Sequence, residues 1–178
     1  MNFKLLKLNL KISWLKITGK LDTIKNSSNF SSTTLDSPQI LIILPIEKEL
    51  IPKSMKCISR IMDSYKNKNA KFTVIVNNNI KDKLNFYNIK TLAFEISKNG
   101  SINNSKKIIN EIYFNKFDII IDLNINFSFD TSMIINELRS KYKVGFTSNY
   151  SDCFYNIQLK TNKNNPSYSS IEYLLGKI

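Results

Sequence analysis

The stretch from Phe117 to Phe146, FDIIIDLNINFSFDTSMIINELRSKYKVGF, constrains the fold of this chain more than any other. Ile119, Ile120 and Ile121 form an unbroken apolar run between Asp118 and Asp122. A continuous run of this kind suits a strand covered on both faces, as in a parallel sheet. A loop follows, then a helix over 131–140 that buries Met133, Ile134 and Leu138, with Ser128 or Asp130 as its cap. Tyr142 to Phe146 is the next strand. Asp122 and Asn124 fall at or just past the carboxyl end of the first strand, the edge where open α/β sheets bind ligands. Both are candidate ligand-cleft residues; loop capping and solvent contact is the competing reading.

The same grammar runs through the rest of the chain. Gln39 to Leu44, QILIIL, reads as a core strand that Pro45 ends. Pro52 then sits near a helix start, where a missing N–H costs little. Ile51, Met55, Ile58, Met62 and Tyr65 make one apolar helical face, and Cys57 inside that helix reads as a small buried residue. Phe72 to Val76 is β-branched and aromatic, hence a second strand, stopped by the asparagines at 77–79. Residues 81–87 read as a short helix or an irregular turn, and 91–96 as a short strand. A helix over 105–114 turns Ile108, Ile109, Ile112 and Tyr113 inward. Phe154 to Leu159 is a late strand at the sheet edge, and 168–176 a closing helix. Strands and helices alternate, so the expected class is α/β: a parallel sheet with helices on both faces, its crossovers right-handed. A chain of 178 residues is enough for one such domain.

Residues 1–20, MNFKLLKLNLKISWLKITGK, stand apart, with five lysines and no acid. Phe3, Leu6, Leu10, Trp14 and Ile17 recur at helical spacing, and Leu5, Leu8, Ile12 and Leu15 broaden that stripe. The expectation is a basic amphipathic helix, too often interrupted by lysine to span a bilayer and lacking the apolar centre of a secretory signal. Lys4, Lys7, Lys11, Trp14 and Lys16 are candidate contacts to an anionic membrane surface or a protein partner; packing on its own domain is the alternative. Residues 21–38, rich in Ser, Thr and Asn, read as a flexible linker. The expected organisation is helix 1–20, linker 21–38 and folded domain 39–178, with the domain surviving loss of residues 1–38.

Composition narrows the chemistry. The formal charge is +12, yet Arg60 and Arg139 are the only arginines. Nucleic-acid readers lean on arginine for bidentate contacts, so nucleic acid is the less favoured partner. Histidine is absent, which removes the commonest general base and metal ligand. Cys57 and Cys153 make no metal spacing and no disulfide framework, so no metal or cofactor is expected and a reducing cytoplasm is the expected compartment. Neither GxGxxG nor GxxxxGK[ST] occurs. The loop after the first strand, Pro45-Ile46-Glu47-Lys48-Glu49, carries no glycine. Glu47 and Glu49 are the only carboxylates there, and one of them is the candidate general base; interaction of these carboxylates with the helix dipole is the competing reading.

The order ILIIL, an apolar helix from Pro52, FTVIV, FDIIIDLN and SKYKVGF resembles the N-terminal half of the family 9 glycosyltransferases, the heptosyltransferase-like enzymes of bacterial lipopolysaccharide synthesis. The resemblance covers roughly 39–159. It implies a Rossmann-like domain, truncated with respect to the family, that receives the acceptor sugar, with the nucleotide-sugar held by a second half. That half would come from a protein partner. The expected location is cytoplasmic, with the basic N-terminal helix as the candidate peripheral contact to the inner membrane face. The family places a Gly-Asp pair in the loop after the first strand, with the Asp as base; Glu47 is the positional substitute here. The implied reading is a glycosyltransferase-like domain that is not catalytic alone, with a non-catalytic docking protein as the alternative.

Overall fold

The computed structural model describes residues 3–21, 36–82, 89–162 and 165–176, the side chains from Leu6 onward. The carboxyl ends of its strands, where the candidate residues lie, are set by six strands in the order β3-β2-β1-β4-β5-β6. These are β1 (Gln39–Ile43), β2 (Lys71–Asn77), β3 (Lys90–Phe94), β4 (Phe117–Asp122), β5 (Ser140–Phe146) and β6 (Ile157–Leu159). Every neighbouring pair is parallel, with Ile40 opposite Phe72 on one side and Ile119 on the other. The sheet is the all-parallel, Rossmann-like α/β arrangement that the unbroken isoleucine runs imply.

Side-chain alternation along the strands divides the core into two layers. Ile40, Ile42, Val74, Ile119, Ile121 and Val144 face α2 (Ile51–Ser64) and α6 (Ser169–Leu175). Leu41, Ile43, Ile75 and Ile120 face α1 (Phe3–Ile17), α4 (Ser105–Ile112) and α5 (Phe129–Glu137). Helices therefore cover both faces. On α2 the buried set is Ser54, Cys57, Ile58 and Ile61, with Met55 and Met62 on its flank. Cys57 is fully buried, and burial pushes its thiol up to about 12. It is an inert packing residue.

Several local expectations are corrected. The asparagines after β2 do not simply stop it: the Asn77 side chain accepts from the Asn79 N–H and starts a one-turn helix, α3 (Asn78–Lys81). Residues 83–88, most of the turn expected at 81–87, lie outside the described residues. Tyr113 points outward at 51% exposure, because α4 ends at Ile112. Only Ile157–Leu159 of the last apolar run is strand. Phe154 and Tyr155 instead leave a short 3-10 turn and plug the layer beneath α5. Gly145 makes room for that plug, since a Cβ there would lie 2.7 Å from three ring atoms of Tyr155. Gly145→Ala is therefore expected to cost about 3 kcal/mol by overpacking, read as a lower midpoint in urea unfolding. An unchanged midpoint would show that the ring can move aside.

Of the placements open to the N-terminal helix, the structure shows α1 packed on its own domain. Ile12 and Leu15 are buried at 4% and 5% exposure, in the cluster that holds Ile43, Ile120 and Leu138. Leu21 is buried with them, and the Asn136 amide donates to the Lys20 carbonyl at 3.0 Å. The stripe that looked primary, Leu6, Leu10, Trp14 and Ile17, is the exposed one. Of the linker at 21–38, residues 22–35 lie outside the described residues. Ser37 and Pro38 are tied to the domain through Ser37 N–H to Lys68 C=O and Lys71 N–H to Pro38 C=O.

Candidate functional site

In a sheet of this order the strand direction of winding reverses between β1 and β4, and the crevice beyond their carboxyl ends is where such sheets hold ligands. The loops that follow these two strands are clamped together. The Ile46 N–H donates to Asn124 Oδ1 at 2.9 Å, and Asn126 Nδ2 donates to Glu47 Oε1 at 2.7 Å. Glu47 is half-buried, and Asn126 is exposed. Glu47 is thus held at the rim of the crevice by a neutral amide. The Tyr168 hydroxyl, from the opposite layer, donates to the Leu123 carbonyl at 3.0 Å and fixes the same loop from below.

Asp122 and Asn124 lie where the sequence put them along the chain, but their side chains have different surroundings from an open cleft. Asp122 is 1% exposed. Its Oδ1 accepts from the Asn124 N–H at 2.9 Å and from Asn124 Nδ2 at 2.6 Å. Its Oδ2 accepts from Thr131 Oγ1 at 3.0 Å and from the Tyr155 hydroxyl at 2.7 Å. Ser132 shares a 2.9 Å hydrogen bond with that same hydroxyl. Asp122 is therefore the hub of an internal polar network between β4, α5 and the Tyr155 plug. Burial raises its carboxyl above the usual 3.8, opposed by the hydrogen bonds from Asn124, Tyr155 and Thr131. Burial, then the neighbouring Asp122 charge, also holds the Tyr155 phenol well above its usual range. Asn124 spends its amide on Asp122 and its carbonyl on Ile46, so it transmits the network to the crevice rim.

Thr131, Ser132 and Tyr155 were not singled out by sequence. Their roles depend on a fold that brings residues 122, 131 and 155 together. Gly145 opposite Tyr155 was the one available trace. Ser128 caps α5 as expected, accepting from the Thr131 N–H at 3.4 Å; Asp130 instead accepts from the Ile102 N–H at 3.0 Å.

Next to the clamp, Asn126, Phe127, Thr147, Ser148 and Tyr150 line a cleft of about 170 Å³ between the loops after β4 and β5. A larger cavity, about 690 Å³, lies elsewhere, at the amino edge of the sheet. Lys20, Asn136, Arg139 and Lys143 line it where α1 and α5 end. Lys143 reaches the Asn136 carbonyl in the last turn of α5 at 3.5 Å. Cations at a helix C-terminus are favoured by its dipole, so their place there has a structural account, and the smaller cleft is the one beside the switch point. Among the described residues no group of His, Cys, Asp and Glu could hold a metal ion.

Of the basic N-terminal candidates, Lys7, Lys11, Trp14 and Lys16 are exposed. The Lys11 ammonium sits 4.1 Å from the Phe129 ring centre, which ties α1 to α5. The side chain of Lys4 lies outside the described residues. Among the described residues no helix is long and apolar enough to cross a membrane.

The sheet order and the two covered faces define a Rossmann-like α/β domain. No family model matches the sequence, and no curated protein matches it. Among solved structures the chain is similar to a glycosyl transferase family 9 protein from Veillonella parvula DSM 2008, with a TM-score of 0.60 and 12% identity. The likeness covers 82% of this chain and 42% of that one. The chain thus spans less than half the length of that neighbour, and at this identity the likeness shows the fold.

Proposed function

We propose that this domain is the acceptor side of a glycosyltransferase-like site, inactive in sugar transfer by itself and completed by a donor-binding half that a partner supplies. The observation that supports this reading is the clamp at the switch point: Glu47 and Asn126 at 2.7 Å, over loops joined by Ile46 and Asn124. In this reading the free edge of the Glu47 carboxylate accepts a proton from an acceptor hydroxyl, and Asn126 orients it. The loop offers no glycine-built backbone cradle for a donor pyrophosphate. In this reading the donor-binding half supplies the orientation of donor against acceptor, worth about 7–11 kcal/mol of barrier lowering.

Incubation of the purified chain with nucleoside diphosphate sugars and sugar acceptors tests this. The expected result is no release of nucleoside diphosphate above the enzyme-free rate, for wild type and for Glu47→Gln alike. Glu47→Gln is expected to leave the thermal midpoint nearly unchanged, because its carbonyl still accepts from Asn126. Clear turnover by the wild type, lost in Glu47→Gln, would overturn the reading of an inactive half.

A further inference from the structure

The N-terminal helix carries two apolar faces. At 3.6 residues per turn, the buried face of Leu8, Ile12 and Leu15 lies about 180° from a second face of Leu6, Leu10, Trp14 and Ile17. The second face is open to solvent: Leu10 is 64% exposed, Trp14 53% and Ile17 85%. Large exposed apolar side chains concentrate on this side of the molecule. Among the described residues the others are Tyr113 and Phe114 at the end of α4, and Tyr173 on the opposite layer. Tyr113 shares with Leu15 and Lys20 the cavity at the amino edge of the sheet.

The surroundings of the stripe are cationic. Lys7 lies three residues before Leu10 and seven before Trp14; Lys11 lies three before Trp14. Both therefore flank the stripe along one edge. Asn9, Ser13 and Lys16 form the other edge. The Lys20 ammonium stands 4.8 Å from the centre of the Trp14 ring. No acid occurs in residues 1–21. A second copy of the chain would bring one set of lysines against another, on a chain of net charge +12.

We infer that the outer face of α1 is a docking surface for an anionic lipid membrane. The helix lies in the interface plane, Leu10, Trp14 and Ile17 enter the headgroup boundary, and Lys7, Lys11, Lys16 and Lys20 meet lipid phosphates. A convex helix with an apolar centre and basic edges supplies both signals that stable surface binding needs, apolar insertion and a polybasic rim. This inference is independent of the sugar-site reading, because Glu47 and Asn126 take no part in it.

Trp14 is the only tryptophan, so its fluorescence reports on the stripe directly. The full chain is titrated with vesicles of phosphatidylglycerol and phosphatidylcholine in equal parts, and with phosphatidylcholine alone. The expected result is a saturable blue shift with the anionic vesicles. It should weaken at least tenfold in affinity between low and physiological salt, and at least tenfold again in Leu10→Asp/Ile17→Asp. Both substituted positions are exposed, so circular dichroism should show the fold retained. Absence of a shift with anionic vesicles at low salt would overturn the inference. Equal binding to neutral vesicles would overturn it too. A blue shift that grows with protein concentration before any vesicle is added would assign the stripe to a second copy, and so contradict it.

Discussion

Asp122→Ala is expected to destabilise the domain by about 3–5 kcal/mol, from orphaned buried donors at ~1–3 kcal/mol each and a small residual cavity. The loss concentrates at Asn124. Thr131 Oγ1 keeps the Ser128 carbonyl at 3.2 Å, and the Tyr155 hydroxyl keeps Ser132. The Asn124 N–H and its side-chain amide both lose the acceptor they share. Urea unfolding followed by circular dichroism measures the change, and a loss below about 1 kcal/mol would contradict the network as described. Since Asn124 also accepts from Ile46, the variant should loosen the Glu47 loop as well.

The same carboxyl sets a pH dependence. Burial raises its folded pKa above the usual 3.8. As pH climbs from that value toward the folded one, the unfolded chain releases its proton first, which favours unfolding. The stabilising contribution of the protonated form is thus full below about 3.8 and is lost as pH rises through the folded pKa. Wild type should accordingly lose stability relative to Asp122→Asn over that rising window, and not as pH falls.

The double variant Ile12→Ala/Leu15→Ala is expected to lose roughly 4 kcal/mol or more, since each large-to-small core change costs about 2–5 kcal/mol and neighbouring sites do not add fully. That is a large share of a typical total of about 5–15 kcal/mol. The control is Leu10→Ala/Ile17→Ala on the opposite face, where the change should stay within about 0.5 kcal/mol per site. Equal effects of the two pairs would mean that α1 is not seated as the structure shows. The burial of Ile12, Leu15 and Leu21 argues against the expectation that residues 1–38 are dispensable. A chain cut there would remove Ile12, Leu15 and Leu21 from the cluster that also holds Ile135 and Leu138.

The sheet was legible because a parallel strand covered on both faces has nowhere to put polar residues. QILII, TVIV and IIID therefore announce themselves, and their order implies the layers. The orientation of α1 was not legible. Leu6-Leu10-Trp14-Ile17 and Leu8-Ile12-Leu15 are both sound apolar stripes, and periodicity does not choose between them. Only the shape of the surface between α5 and the sheet does. The position of Asp122 was legible, and its inward aim was available from parity alone. Ile119 and Ile121 face α2 and α6, so Ile120 and Asp122 must face α5. The acceptors and donors around it were not, because Thr131 and Tyr155 reach it only through tertiary packing. Glu47 and Asn126, 79 residues apart, met for the same reason: β1 and β4 are neighbours in the sheet and distant in sequence.

A backbone-amide chemical-shift titration asks whether the crevice over β1 and β4 is the ligand edge. Hexose and heptose phosphates are titrated to millimolar concentration into the isotopically labelled chain. The account predicts saturable shifts at Ile46, Glu47, Asn124 and Asn126, weakened in Glu47→Gln. Shifts confined to Leu138, Arg139 and Ser140 at the amino edge, or no saturable shift at any amide, would contradict it.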